Sequence, residues 1–201
     1  MSGDGLQDLV RIEPGRIGYF PNLGRGRFGP FLAMSGAPAM APQNLYDPRR
    51  VRLADLDGTG TADLLYLGPD GIDIYRNRAG NSFAPRERLA LFPGRDALST
   101  IDILDLLGTG TSCLVWSTPL RGHDPRIRYV DLLASTKPHL LTKIVNNLGL
   151  ESTIHYTTST QLYLEDRRNG VDWATRLPFP VHIVDKVEHH DLIRRHRFVQ
   201  T

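Results

Sequence analysis

The sequence predicts an all-β protein that contains part of a β-propeller, followed by β-hairpins and one short helix. Two observations predict this fold class: an even distribution of turn-forming residues and an internal repeat. The 201 residues include 19 glycines and 14 prolines. Because glycine and proline favour tight turns, their spacing indicates many short strands rather than long helices.

The internal repeat is visible in two alignments without gaps. Residues 51–66 (VRLADLDGTGTADLLY) align on residues 101–116 (IDILDLLGTGTSCLVW). Residues 3–28 align in the same way on residues 58–83, with matching glycines, an aspartate and an asparagine. Repeats of about 40–50 residues that contain several short strands are typical of propeller blades. The unit resembles the VCBS or FG-GAP type of blade.

Residues 1–125 are therefore predicted to form partial propeller blades, with repeats near 3–28, 51–83 and 101–117. Each unit contains a glycine-rich loop, an apolar strand, a turn and a second strand. The predicted strands are 8–12, 17–20, 63–67, 72–75 and 113–117. A closed propeller has about four to eight blades, so we expect the chain to be a piece of a longer protein.

Residues 126–201 lack the repeat and are predicted to form a β-hairpin region. A short helix is expected over 159–168, with Ser159 as its N-cap and Asn169-Gly170 at its end. Residues 147–149 (Asn-Leu-Gly) predict a hairpin turn between two of the strands. The predicted strands are 126–133, 139–146, 151–158, 181–189 and 195–201.

The composition argues against several classes of protein. The 24 basic and 22 acidic residues nearly cancel, so no excess of charge favours nucleic acid or an anionic membrane. No segment approaches the roughly 20 apolar residues of a membrane helix, so direct membrane insertion is not expected, and no signal peptide is visible. A nucleophile elbow, a Walker loop and an HExxH helix are missing from the sequence, and we expect no catalytic activity.

A loop rich in aspartate gives the strongest chemical signal. Residues 55–63 (DLDGTGTAD) place an oxygen-bearing residue at every second position. Calcium prefers about six to eight oxygen ligands, and glycines permit a curl that turns alternate residues inward. The pattern predicts a structural calcium site. Its ligands would be the carboxylates of Asp55, Asp57 and Asp63, a hydroxyl or water contact at Thr59, and the backbone carbonyl of Thr61.

A structural role without metal stays open for the same residues, because aspartates in turns also accept hydrogen bonds from backbone N–H groups. The aligned loop, residues 105–113, provides an internal control. Leu107 replaces the second aspartate and Cys113 replaces the third, so only Asp105 remains and no calcium is expected there. We predict that Cys113 is a core residue rather than a nucleophile, since it lies in an apolar strand.

Five segments resemble the B component of bacterial insecticidal toxin complexes (Tc toxins) and the related SpvB-like virulence proteins. They are SGDGLQDLVRI at 2–12, YFPNLGRGRFG at 19–29, DPRRVRLADLDGTGTADLLYLG at 47–68, YVDLLASTKPHLLTKIVNNLG at 129–149 and TRLPFPVHIVDKVE at 175–188. The resemblance covers essentially the whole chain. It implies a propeller of VCBS-like blades, followed by the first strands of a hollow shell of RHS repeats that encloses a toxic enzyme.

The resemblance also implies a function in assembly and delivery. In this family the propeller docks onto the pentameric A component and gates the passage of the cargo, while the C component completes the shell. The chain is thus expected to have these protein partners, to have no enzymatic activity, and to be secreted as part of a toxin complex.

Two alternative functions follow from the aspartate loop. One is a calcium-dependent adhesion module of the integrin-like propeller type. The other is a hydrolase that uses Asp55 and Asp57 as an acid and a base. The hydrolase is disfavoured, because residues two apart on one loop are better placed to share a cation than to flank a substrate.

Overall fold

The computed structural model describes residues 1–42, 44–68, 70–90, 98–122, 125–175 and 177–201. In these residues β-strands predominate, and an α-helix, α1, occupies Ser159–Arg168. The strands are β1 (Leu9–Glu13), β2 (Arg16–Phe20), β3 (Leu32–Ala33), β4 (Val51–Ala54), β5 (Asp63–Gly68), β6 (Gly71–Tyr75), β7 (Asn77–Arg78), β8 (Ser82–Phe83), β9 (Glu87–Leu89), β10 (Thr100–Leu104), β11 (Cys113–Ser117), β12 (Ile127–Asp131), β13 (Lys143–Val145), β14 (Leu150–Thr158), β15 (His182–Asp191) and β16 (His196–Gln200). A short 3-10 helix, Pro48–Arg50, precedes β4.

The described strands form five small sheets. Their orders are β1-β2-β3, β4-β5-β6-β9, β7-β8, β10-β11-β12 and β13-β14-β15-β16. The strand pairs with a defined register are antiparallel. The prediction of a mostly β fold with a short helix is confirmed. The blade and shell architecture stays a prediction.

The chain divides into two compact units. Unit 1 consists of Met1–Leu104 and Leu114–Val130, and unit 2 consists of Asp105–Cys113 and Asp131–Thr201. The two copies of the aspartate loop therefore belong to different units, 55–63 to unit 1 and 105–113 to unit 2. The functional division predicted at residues 125 and 126 stays a prediction.

The core of unit 1 is centred on β5 and β6. Every residue of these two strands is buried, because β5 is an unbroken apolar run after its first residue and lies between β4 and β6. Short apolar runs of this kind are typical of strands that are covered on both faces. The turn predicted between the two strands of the repeat is described at Asp70, and Gly71 is already the first residue of β6. The predicted turn residue Pro69 lies outside the described residues.

One buried cluster joins the first repeat to the second. It contains side chains from β2, from β5 and β6, and from β8, so the repeated sheets share a core. The first repeat contributes Ile17 and Tyr19, which alternate with Gly18 along β2. A Cβ atom at Gly18 would lie 2.4 Å from the carbonyl oxygen of Leu32, so β3 approaches β2 closely only because this residue is glycine. The full cluster is Met1, Ile17, Tyr19, Met34, Leu64, Tyr75 and Phe83.

Unit 2 is built on the sheet β13-β14-β15-β16. The predicted hairpin is confirmed, since Lys143 pairs with Thr153 across β13 and β14. The helix α1 follows β14 directly, and its N-cap is Thr158, whose hydroxyl accepts a hydrogen bond from the backbone N–H of Gln161 at 3.2 Å. The predicted cap, Ser159, is wrong by one residue. The hydroxyl of Ser159 instead accepts a hydrogen bond from the backbone N–H of Val181 at 2.9 Å, which ties α1 to the segment before β15.

Membrane-spanning helices are not found in the described part of the chain, where no helix combines the required length with sufficient apolar character.

Candidate functional site

The candidate site consists of two loops that the repeat aligns. The first aspartate loop (residues 55–63) follows β4 and leads into β5, and the second aspartate loop (residues 105–113) follows β10 and leads into β11. Both loops have two glycines in the left-handed region, with φ of 74° and 82° in the first loop and 67° and 72° in the second. Glycine adopts this conformation without steric strain, so the shared glycine spacing gives both loops the same curl.

The first aspartate of each loop binds the loop's own backbone. One carboxylate oxygen of Asp55 accepts hydrogen bonds from the N–H groups of Gly58 at 2.7 Å and Thr59 at 3.1 Å. Its second oxygen accepts from the N–H of Gly60 at 2.9 Å. Asp105 makes the equivalent bonds in the second loop, with the N–H groups at Thr109 (3.0 Å) and Gly110 (2.8 Å). This carboxylate therefore holds the curl in both loops.

The threonines of both loops also bond within the loop. The hydroxyls of Thr59 and Thr61 lie 2.9 Å apart, and those of Thr109 and Thr111 lie 2.7 Å apart. The Thr61 hydroxyl additionally lies 3.5 Å from the carbonyl oxygen of Asn77, which accepts its hydrogen bond. The predicted ligands Thr59 and Thr61 thus lie in one hydrogen-bonded pair, and the same pair is present in the loop that lacks the additional aspartates.

Among the acidic residues of the first aspartate loop, Asp63 is the most deeply buried. Its side chain is fully buried, and its two oxygens accept hydrogen bonds from the backbone N–H groups of Asn77 at 2.7 Å and Leu56 at 3.3 Å. Arg76 donates a further hydrogen bond at 3.2 Å. Burial raises the pKa of Asp63 and the charge of Asp57 adds to the rise, whereas the two backbone donors and Arg76 act in the opposite direction.

Arg76 lies against three carboxylates. Its guanidinium Nη1 is 3.2 Å from Asp63 and 4.0 Å from Asp57, and its Nε is 3.5 Å from Glu87. Asp57 also accepts a hydrogen bond from the backbone N–H of Thr59 at 3.1 Å. A guanidinium remains charged at any pH at which proteins are folded, so it is a permanent counter-ion for these acids.

An aspartate and an asparagine form a repeated pair in unit 1. Asp8 aligns on Asp63 and Asn22 aligns on Asn77. In the first repeat, Asp8 accepts the backbone N–H of Asn22 at 2.9 Å, and the Asn22 side chain donates to the carbonyl of Gln7 at 2.9 Å. In the second repeat, the Asn77 N–H donates to Asp63 at 2.7 Å.

The side chain of Asn77 completes the match, because it donates to the carbonyl of Ala62 at 3.0 Å, and Ala62 aligns on Gln7. Each pair fixes the start of one strand to the segment that follows the next strand. The asparagines were not among the predicted site residues, although the alignment of residues 3–28 on 58–83 already contained them.

Cys113 occupies the same position in the third repeat. It is fully buried and it is a free thiol, which confirms the prediction of a core residue. Burial raises the pKa of the Cys113 thiol, while hydrogen bonds from the backbone N–H groups of Leu106 and Leu107 act to lower it. Leu106 aligns on Leu56, so the thiol accepts from the same backbone position as the carboxylate of Asp63.

These contacts bear on the predicted calcium site. Calcium needs several oxygens that converge on one point. Among the described residues, no group of three or more His, Cys, Asp or Glu side chains has the arrangement of a metal site. Asp55 is directed at backbone N–H groups, and Asp63 at two N–H groups and Arg76. The donor set present does not fit calcium, and calcium binding stays a prediction from the sequence.

Comparison with known proteins decides the family of the chain. A model of the insecticide toxin TcdB middle/N-terminal region matches residues 76–201. The chain belongs to this family. The match begins after β6, at Arg76, so the TcdB family model covers the second aspartate loop and not the first.

Solved structures extend the likeness to the first loop. A crystal structure named TcdB2-TccC3-Cdc42 matches 98% of this chain at 33% identity, with a TM-score of 0.86, over 9% of that chain. A TcdB2-TccC3 crystal structure gives the same identity, chain coverage and TM-score over 10% of its chain. The Tc holotoxin pore of Photorhabdus luminescens matches 98% of this chain at 32% identity with a TM-score of 0.82, over 9% of that chain.

The predicted resemblance to a Tc toxin B component is therefore confirmed. This chain spans about a tenth of the length of the TcdB2-TccC3 chains. No curated protein sequence matches it at a significant level.

Proposed function

We propose that the chain is a non-catalytic structural segment of a toxin-complex B component. The observation that carries this proposal is the match to TcdB2-TccC3 over 98% of the chain at 33% identity. A similar TM-score in the holotoxin pore supports a segment that keeps its fold in the assembled toxin. The proteins named with these relatives, TccC3 and the remainder of the holotoxin, indicate the class of partner: other components of a toxin complex.

The contacts of the aspartate loops support a structural role rather than a catalytic one. A general acid or base must be able to reach a substrate proton. Asp55 has both oxygens engaged with backbone N–H groups, and Asp57 accepts the N–H of Thr59 and lies 4.0 Å from Arg76. The alternative hydrolase, with Asp55 and Asp57 as its acid and base, would require these groups to leave their partners, so the loops favour a scaffold.

In this function the small sheets of unit 1 would be β-propeller blades, and the sheet of unit 2 would provide the first strands of an RHS shell. Blades are about four-stranded antiparallel sheets, and β4-β5-β6-β9 is a sheet of this kind. The propeller would dock onto the pore-forming A component, and the shell would be completed by the C component and would enclose the cargo. Secretion would take place as part of that complex.

A segment exchange tests the proposal. The matching segment of TcdB2 is replaced by residues 1–201 of this chain, and the chimera is purified with TccC3 and mixed with the A component. We expect a TcdB2-TccC3 complex that still binds the A component, measured by size-exclusion chromatography and electron microscopy.

A second chimera carries Leu64→Asp, which places a charge at a fully buried position and should prevent assembly. If the Leu64→Asp chimera assembles as well as the first one, the segment does not support the complex and the proposal is wrong. A calcium-dependent adhesion module would instead bind cells in the absence of any A component.

A further inference from the structure

We propose that Arg76 takes the place of a metal ion in the first aspartate loop, so that the conformation of this loop does not depend on calcium. Three observations support this inference. The two loops share two backbone bonds to their first aspartate, and the additional acids of the first loop lie beside Arg76. Asp63 also belongs to an aspartate–asparagine pair that recurs in the first repeat, where a serine stands in place of the second aspartate.

The curl of the loop does not require the additional acids. The second aspartate loop has Leu107 and Cys113 where the first has Asp57 and Asp63, yet its first aspartate accepts the equivalent N–H groups at nearly the same distances. Its two glycines also have similar φ angles. If a cation held the curl together, the loop with a single carboxylate would be expected to adopt a different backbone.

The additional acids lie next to a cation of the protein itself. Asp57, Asp63 and Glu87 lie 4.0, 3.2 and 3.5 Å from the nearest nitrogen atoms of the Arg76 guanidinium. A buried carboxylate needs both a counter-charge and hydrogen-bond donors, and Asp63 has the two backbone donors in addition to Arg76. The guanidinium thus supplies the positive charge that a calcium ion would otherwise supply.

The repeat itself shows that the position of Asp63 has a function other than metal binding. Asp8 accepts the N–H of Asn22 in the same way as Asp63 accepts the N–H of Asn77. The loop segment before Asp8 has glycines at positions 3 and 5 with φ of 84°, as the first aspartate loop does at positions 58 and 60. Position 2 is a serine where the first aspartate loop has Asp57, so the pair forms without the three-aspartate pattern.

The test uses the full 201-residue chain and measures its melting temperature in EDTA and in millimolar calcium chloride. For the unchanged chain we expect the same melting temperature in both solutions. For Arg76→Gln we expect a loss on the order of 5 °C in EDTA, because three acids lose their counter-charge, and a partial recovery in calcium, because the acids are then free to bind it. Arg76→Lys, which keeps the charge, should lose less and should not respond to calcium.

The matched control is Arg78→Gln, a change of the same type at an exposed residue two positions along the chain. It should alter the melting temperature little in either solution. The proposal is overturned if calcium stabilises the unchanged chain by several degrees, if calcium fails to recover Arg76→Gln, or if Arg78→Gln matches Arg76→Gln. If Arg76→Gln does not fold, calcium is titrated by calorimetry into the unchanged chain and into Asp57→Asn. Calcium binding by the unchanged chain that Asp57→Asn abolishes overturns the proposal. The absence of binding by both proteins supports it.

Discussion

The two aspartate loops share a backbone and differ in their acids. The first loop carries Asp55, Asp57 and Asp63, whereas the second carries Asp105 alone, with Leu107 and Cys113 at the other two positions. In both loops the first aspartate accepts N–H groups four and five residues further along the chain. One carboxylate and two glycines are therefore sufficient for this curl.

The last position of the loop has a separate role. Asp8, Asp63 and Cys113 are aligned, and each is a buried or half-buried acceptor for backbone N–H groups at the base of its loop. A carboxylate and a thiol both serve there, although the carboxylate is the stronger acceptor. The acids of the first loop therefore have two different functions, loop closure at Asp55 and strand attachment at Asp63.

The largest expected loss of stability comes from substitutions at the last position of the loops, Asp63 and Cys113. Asp63→Ala leaves the N–H groups of Leu56 and Asn77 and the charge of Arg76 without their partner, so we expect a loss of about 3–5 kcal/mol in the free energy of unfolding. The aligned Cys113→Ala removes a weak acceptor and a small volume, and should cost about 1–2 kcal/mol. Urea denaturation followed by tryptophan fluorescence measures both. Equal losses would show that the carboxylate is not the stronger acceptor at this position.

Substitutions at the first position of the loops, Asp55 and Asp105, should cause an intermediate loss of stability that is equal in both loops. Asp55→Ala and Asp105→Ala each remove the acceptor of the loop's backbone N–H groups, and each should cost about 1–2 kcal/mol, as the loss of a helix N-cap does. Asp55→Asn and Asp105→Asn keep one acceptor oxygen and should cost less. A large loss at Asp55 with none at Asp105 would show that the first aspartate does not stabilise the two loops in the same way.

A smaller effect should appear in the pH dependence of stability, with opposite signs at two aligned aspartates. Burial alone would raise the pKa of Asp8, but the Met1 ammonium and the N–H groups of Asn22 and Ser2 lower it to about 2. Asp8 therefore contributes stability above its ordinary pKa, and this contribution is lost as the pH falls from about 4 towards 2.

The pKa of Asp63 is raised, so its contribution is most favourable at a pH below its ordinary pKa and decreases as the pH rises through the raised value. Melting temperatures between pH 2 and 6 test both residues. Asp8→Asn should weaken the loss of stability in acid, and Asp63→Asn should weaken the loss on raising the pH. The same direction of change in both variants would contradict the assignment.

The smallest effect concerns reactivity in the folded state. Cys113 is fully buried and burial raises its pKa, so we expect maleimide to label it at least about 100-fold more slowly in the folded chain than in urea. Leu148→Cys, placed at a residue with 79% exposure, is the control and should react at once. Rapid labelling of Cys113 without urea would show that the second loop opens readily.

Much of the local structure could be predicted from the sequence. The apolar runs at β5 and β11, the hairpin of β13 and β14 and the bounds of α1 follow from periodicity and turn residues, which act over a few neighbouring positions. Six of the described strands were not predicted: β3, β4, β7, β8, β9 and β10. Four of them, β3, β7, β8 and β9, are only two or three residues long, too short for a recognisable periodicity, and β9 pairs with β6 rather than with the strand next to it in the sequence.

The candidate site was predicted in part. The aspartates and glycines of residues 55–63 were recognised, and so was their similarity to residues 105–113. Arg76 and Asn77 were not predicted. They follow β6 in the sequence, whereas the loop precedes β5, so they reach Asp63 only after β5 and β6 have paired. The alignment of Asn22 with Asn77 was the available signal.

By itself, the sequence determined the family, the mostly β fold and the existence of repeated loops, because these follow from residue types at fixed spacing along the chain. Only the tertiary structure decided where each carboxylate points. An aspartate in such a loop is able to bind a metal ion, a backbone N–H or a guanidinium, and the choice depends on which donors the folded chain brings within about 3 Å. In the first aspartate loop those donors are the backbone N–H groups and Arg76.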